Sequence, residues 1–168
     1  MCPKVPVVED LLTLKSLAYN RTTLARASLF EKISGLWLDD AAKLSGPAQE
    51  AMDQILADLV KDVEGAVRAR VAEGLAAKPD VPPKLIETLA TDPDIMVSGP
   101  LLTRCTMLAE KLLLRVARDG GVVHRQAIAK REAVPIALSD ALCERREAAV
   151  MKTLIGNPGA EVSRAVFR

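Results

Sequence analysis

LIETLATDPDIMVSGPLLTRC, residues 85–105, decides the fold because it does not stand alone. LLLRVARDGGVVHRQAIAKRE (112–132) and LSDALCERREAAVMKTLIGNP (138–158) lie beneath it place for place, at a spacing of about 26 residues. Leu89, Val116 and Leu142 coincide, as do Ile95, Val122 and Ala148, and then Leu101, Ile128 and Leu154. Units recurring with a period of about 20–50 residues cannot bury an apolar face alone and stack to do so. Within each unit a short apolar stretch leads through a polar or glycine-bearing turn into a second one. Those turns are Thr91-Asp92-Pro93-Asp94, Arg118-Asp119-Gly120-Gly121 and Glu144-Arg145-Arg146-Glu147. The predicted unit is a helical hairpin, with Asp92 as the N-cap of the first turn and Gly120 and Gly121 free to take a positive φ at a helix stop.

Composition points the same way. The chain has 168 residues, 49% hydrophobic but only 2% aromatic, so its core is built from Leu, Ala, Val and Ile. That palette favours closely packed helices over sheet, and no segment alternates with period two long enough to read as a strand. The predicted class is all-α.

Ahead of the repeats, Leu11, Leu12, Leu14, Leu17 and Ala18 give a first helix one apolar stripe, closed at Asn20. A second helix is predicted over 22–38, with Asp39 and Asp40 at its end and Trp37 and Tyr19 docking the pair. Ser45-Gly46-Pro47 combines a capping serine with an early proline and starts a long helical stretch running to Lys78. Gly65 and Gly74 are its weak points. Lys78-Pro79-Asp80-Val81-Pro82-Pro83 ends it, because consecutive prolines cannot continue a helix. Residues 1–79 therefore form an N-terminal helical segment, a bundle of two helices plus the long stretch. Residues 80–168 form the repeat segment, continuous with it. A last helix is predicted over 160–168 without a closing cap. The chain is then a fragment, or this helix covers the end, or the exposed repeat end pairs with a second copy as a homodimer.

The arrangement LAAKPDVPPKLIETLATDPDIMVSGPLL (75–102), then 112–132, then LSDALCERREAAVMKTLIGNPGAEVS (138–163) resembles the bacterial family of domain of unknown function 2336. AIAKRE (127–132) and LIGNPGAEVS (154–163) are the most family-like pieces, and the likeness extends over residues 45–168. The family resembles HEAT-type helical repeats, so the resemblance implies an α-solenoid. It brings no catalytic residues. In longer members the pattern runs past Arg168, which again implies a fragment.

Little in the chain supports a reaction. Cys2, Cys105 and Cys143 are far apart and lack CxxC pairing, so neither a zinc site nor a disulfide framework follows. Asp39/Asp40 and Asp92/Asp94 read as helix-end carboxylates, and Cys105 as a buried small hydrophobe. The single histidine, His124, takes the place of Val97 and Val150 in the repeat and reads as a partly buried structural residue. No phosphate loop, GxSxG or HExxH is present. Neither an enzyme nor a cofactor is expected.

Charge is divided unevenly. Residues 1–100 carry 11 Lys/Arg against 15 Asp/Glu, a net of −4, whereas residues 101–168 carry 12 against 7, a net of +5. Arg118, His124, Arg125, Lys130 and Arg131 make the middle unit the most basic and are the candidate partner-binding residues. The expected role is a non-catalytic protein-interaction scaffold whose partner is unknown. The alternative is a nucleic-acid-binding protein using the basic second half, disfavoured by a pI of about 7.7 and scarce aromatics. With no signal peptide, no apolar run of membrane-spanning length and three unpaired thiols, a cytoplasmic location is expected.

Overall fold

A computed structural model describes residues 7–19, 22–40 and 43–163. Among them the chain is all-helical, with ten α-helices, one short 3-10 turn and a single bridge between two residues. Helix α1 spans Val7–Tyr19 and packs on α2, Thr23–Asp40. Phe30 and Trp37 on α2 are buried and anchor it against α3 and α4. The Tyr19 side chain lies outside the described residues.

The long stretch predicted over 46–78 is two helices, not one. Helix α3, Gly46–Leu59, passes into a 3-10 turn at Val60–Asp62, and the chain then extends at Val63 (φ −103°, ψ 140°). Helix α4, Gly65–Leu75, starts at the weak point that glycine provides. Two forces make the break. Val60 and Val63 both bury in the core, and Arg68 Nη1 donates back to the Val63 carbonyl at 2.5 Å. The outcome is two helices, α3 and α4, in front of the three pairs legible as repeats, with α3 packed on α5 and α4 on α6. Ser45 occupies the N-cap position as expected, but its hydroxyl makes no capping bond.

The repeats become α5 (Pro83–Ala90) with α6 (Ile95–Arg104), α7 (Glu110–Asp119) with α8 (Val122–Ala129), and α9 (Ile136–Cys143) with α10 (Ala148–Ile155). The second helices pack in chain order, α4 on α6, α6 on α8 and α8 on α10, while α3 packs on α5 and α7 on α9. One buried, mainly aliphatic cluster runs from Leu29 on α2 through the helix pairs to Leu154. Leu89, Val116 and Leu142 are inside it, and so are Leu101, Ile128 and Leu154.

Three local expectations are corrected. Asp94, not Asp92, caps α6, accepting the Met96 amide at 2.9 Å, because Asp92 is occupied with the Asp94 amide and with Arg68. Gly120 and Gly121 keep negative φ. Gly120 is needed for another reason, since a Cβ there would press into the Val116 carbonyl. The helix predicted over 160–168 does not begin at Ala160. Residues 159–161 run extended beside Val134, whose amide donates to Gly159 and whose carbonyl accepts from Glu161, both at 2.9 Å. Residues 164–168 lie outside the described part.

Candidate functional site

The five candidate residues of the middle unit do not form one ridge. Arg125 is only 3% exposed. Its Nε and Nη2 grip both carboxylate oxygens of Glu147, at 2.7 and 2.5 Å, and Nη1 donates to the Gly120 and Ala117 carbonyls. A guanidinium so enclosed fastens α8 to the start of α10 and is withdrawn from any partner. This corrects its assignment to the surface. The signal was present in the sequence, because Arg125 lies three residues before the core Ile128 and so shares its helix face.

Arg131 is also turned inward. Nη1 and Nη2 each donate at 2.8 Å, to the carbonyls of Leu102 and Cys105 at the end of α6, where the helix dipole favours a cation. Burial pushes this guanidinium below its usual range. His124 is half-buried and donates from Nε2 to the Asp92 carbonyl at 3.2 Å, while its Nδ1 is buried without a partner. It lines an open cleft of about 400 Å³ with Asp92, Arg115, Asp119 and Gly121. Only Arg118 and Lys130 point outward. Among the described residues neither side chain has a carboxylate partner.

Sequence reasoning missed a second set of residues, which hold hairpin to hairpin. Asp53 is buried on α3, and its two oxygens accept the Lys84 and Leu85 amides at 3.0 Å, capping α5 from outside. Helix α5 needs this because its own N-cap residue is Pro82. Arg68, at the fourth position of α4 as Arg125 is of α8, reaches Asp92 in the next hairpin at 2.8 Å. Arg104, Arg131 and Asn157 share one place in the three units, and each reaches back one hairpin. Arg104 pairs with Glu73 on α4, and Asn157 donates to the Ala129 and Arg131 carbonyls at the end of α8.

The AIAKRE and LIGNPGAEVS pieces thus meet in space. Asn157 caps the helix that the first contains, its Oδ1 accepts the Gly159 amide at 2.9 Å, and Gly159 passes so close to the Glu132 carbonyl that a Cβ would overlap it. Residues 97–168 match the model of DUF2336, an uncharacterised protein family conserved in bacteria. No curated protein and no solved structure matches the chain. The DUF2336 match opens at Val97 inside α6 and takes in α7 to α10 with every contact just described between 127–132 and 154–163.

The third apolar column of the repeats behaves unlike the other two. Ile95 is only partly covered, Val122 is 40% exposed and Ala148 is exposed. The neighbouring place repeats the pattern, with Met96 at 69%, Val123 at 48% and Ala149 exposed. These residues begin α6, α8 and α10, which pack side by side, so they form an apolar stripe crossing three helices. Gly99 and Pro100 continue it on α6 with little side-chain relief. Pro100 has no amide to give the Met96 carbonyl, which leaves a polar acceptor beside the stripe. Lys130, the C-cap of α8, and Lys152, in the middle of α10, are both exposed and have no carboxylate partner among the described residues. Among the described residues no group of three or more His, Cys, Asp or Glu is arranged to hold a metal ion, and no helix is long and apolar enough to cross a membrane.

Proposed function

We propose that this chain is a HEAT-like α-solenoid acting as a non-catalytic protein-interaction scaffold, and that it docks its partner on the row of second helices. One observation carries the reading. Two adjacent places stay apolar through all three repeats yet take little part in the core, and Met96, Val122 and Val123 are left largely in water. Scattered single apolar residues on a surface are ordinary, whereas a contiguous run at repeating positions marks an interaction site. The packing of α4, α6, α8 and α10 in chain order supports the solenoid, because such arrays use one row of helices as an extended binding face. The nucleic-acid alternative loses Arg125 and Arg131 to internal bonds, and among the described residues the aromatics Phe30 and Trp37 are buried and do not serve for stacking.

Site-specific photo-crosslinking tests the reading. A benzophenone side chain at Val123 or Met96 is expected to trap a discrete protein adduct in bacterial cells, and one at the exposed Lys111 on α7 is not. Equal trapping at all three places, or none at Val123 and Met96, would remove the scaffold assignment.

A further inference from the structure

The joints along the array are not built alike. At the first, α3 packs on α5 and α4 on α6, and Asp53 ties α3 to the first amides of α5. At the last, α7 packs on α9 and α8 on α10. The joint in the middle is closed on one side only. Helices α6 and α8 pack closely, but α5 and α7 do not, and two clefts of about 400 and 250 Å³ lie between them. The larger is lined by Ala90 and Thr91 on one side and Val116 and Asp119 on the other, the smaller by Ile86 and Leu112.

Side-chain bonding follows the same division. Arg68, fourth in α4, reaches Asp92, and Arg125, fourth in α8, grips Glu147, so the first and last joints each carry a largely covered ion pair. The fourth residue of α6 is Ser98, which is buried and spends its hydroxyl on the nearby Asp94 carbonyl at 3.1 Å. Among the described residues, most bonds across the middle joint join α8 and the residues just after it to α6 and its flanking turns. Arg131 donates to the Leu102 and Cys105 carbonyls, Thr103 to the Ala127 carbonyl and His124 to the Asp92 carbonyl. The side of α5 and α7 is bridged by Glu87 and Arg115, 3.1 Å apart and each more than half exposed.

A rotation about α6 and α8 therefore breaks no dry contact between α5 and α7, because Ile86, Leu112 and Val116 already border open clefts. At the two neighbouring joints aliphatic packing on both sides resists the same motion, since close-packed interiors yield little. An exposed ion pair is a weak closure that salt screens. We infer that the array bends at this one joint, hinging on α6 and α8 to open or close the gap between α5 and α7, with Glu87 and Arg115 as a salt-sensitive latch. Helices α6 and α8 stay in contact throughout. The motion alters the curvature of the array without parting the helices that carry Met96 and Val123, whatever docks on them.

Distance measurement by double electron-electron resonance on the full chain tests the hinge, with spin labels attached to keto side chains placed in pairs. One pair, at Lys84 on α5 and Lys111 on α7, spans the gap. The other, at Lys111 and Ala137 on α9, spans a joint closed on both sides, and all three positions are exposed. The first distance distribution is expected to be about twice as broad as the second. Glu87→Gln, or salt at about 1 M, is expected to raise the share of longer first-pair distances about twofold and to leave the second pair unmoved. A first distribution as narrow as the second, equal broadening of both, or a first distribution that neither Glu87→Gln nor salt moves would overturn the inference.

Discussion

The guanidinium of Arg125 closes on both oxygens of Glu147, at 2.7 and 2.5 Å, with the arginine 3% exposed and the glutamate at the edge of solvent. This pair spans from inside α8 to the residue that begins α10. It resembles the Arg68–Asp92 pair, which joins α4 to the turn before α6 at 2.8 Å. Hairpins that stack only through aliphatic side chains can slide, and a buried two-pronged contact admits one register.

Arg125→Ala is therefore expected to be costly for the truncation of a charged side chain. It strips Glu147 of its partner and leaves the Gly120 and Ala117 carbonyls without their donor in a buried setting. The loss should be about 1–3 kcal/mol, the cost of leaving those buried acceptors unpaired, since Glu147 itself stays within reach of water. Urea unfolding of the variant against the parent chain measures it, and a loss below about 1 kcal/mol would mean the pair is replaced by water.

Glu147 supplies a pH signature. The hydrogen bond from Arg125 holds its carboxyl below the ordinary glutamate range. A carboxyl with a lowered folded-state pKa stabilises the fold fully above its unfolded pKa of about 4.3, and that contribution is lost as pH falls through the folded value. Stability of the parent chain should decline more steeply below about pH 4.5 than that of Glu147→Gln. Parallel declines in denaturant titrations across that range would count against the pair.

Asp53→Ala should weaken the joint between α3 and α5. The Lys84 and Leu85 amides would lose their only side-chain acceptors, a cost of about 1–2 kcal/mol by analogy with lost helix caps. Asp53→Asn keeps one good acceptor and should recover about half of it. Amide exchange at Lys84 and Leu85, faster in the alanine variant than elsewhere in α5, locates the effect.

Gly159→Ala is expected to lift residues 159–161 from the α8–α9 loop, because the added methyl overlaps the Glu132 carbonyl. The readout is exchange of the Val134 and Glu161 amides, which bond across this contact. Both should lose protection together. Asn157→Ala removes the two bonds to the end of α8 and should loosen the same amides less, at about 1–2 kcal/mol.

Residues of one type took opposite roles, and this sets how far the candidate site was legible. Lys130 and Arg131 are neighbours in sequence, yet Lys130 faces solvent and Arg131 caps α6. The sequence contains the periodicity that turns Arg125 inward but not the identity of the helix end that Arg131 meets, since that end belongs to another unit. Asp53 lies about thirty residues from the amides it caps and carries no local signal at all. The apolar stripe was visible as a repeating column, although its exposure was not. Leu102 and Ala129 are buried, whereas Ile155, at the same place in the last unit, is 67% exposed because no described hairpin follows to cover it.

What residues 85–158 determined unaided is the unit: two short helices, a polar turn, and two aliphatic columns for the core. Those are local properties, set by side-chain period and backbone propensity over about ten residues at a time. Only tertiary structure decided the rest. It split the long stretch into α3 and α4, sent Arg125 inside, and left Met96 and Val123 in water. Each of these outcomes depends on what a neighbouring hairpin presents across the gap, and burial and pairing between distant segments are settled only when the chain has stacked.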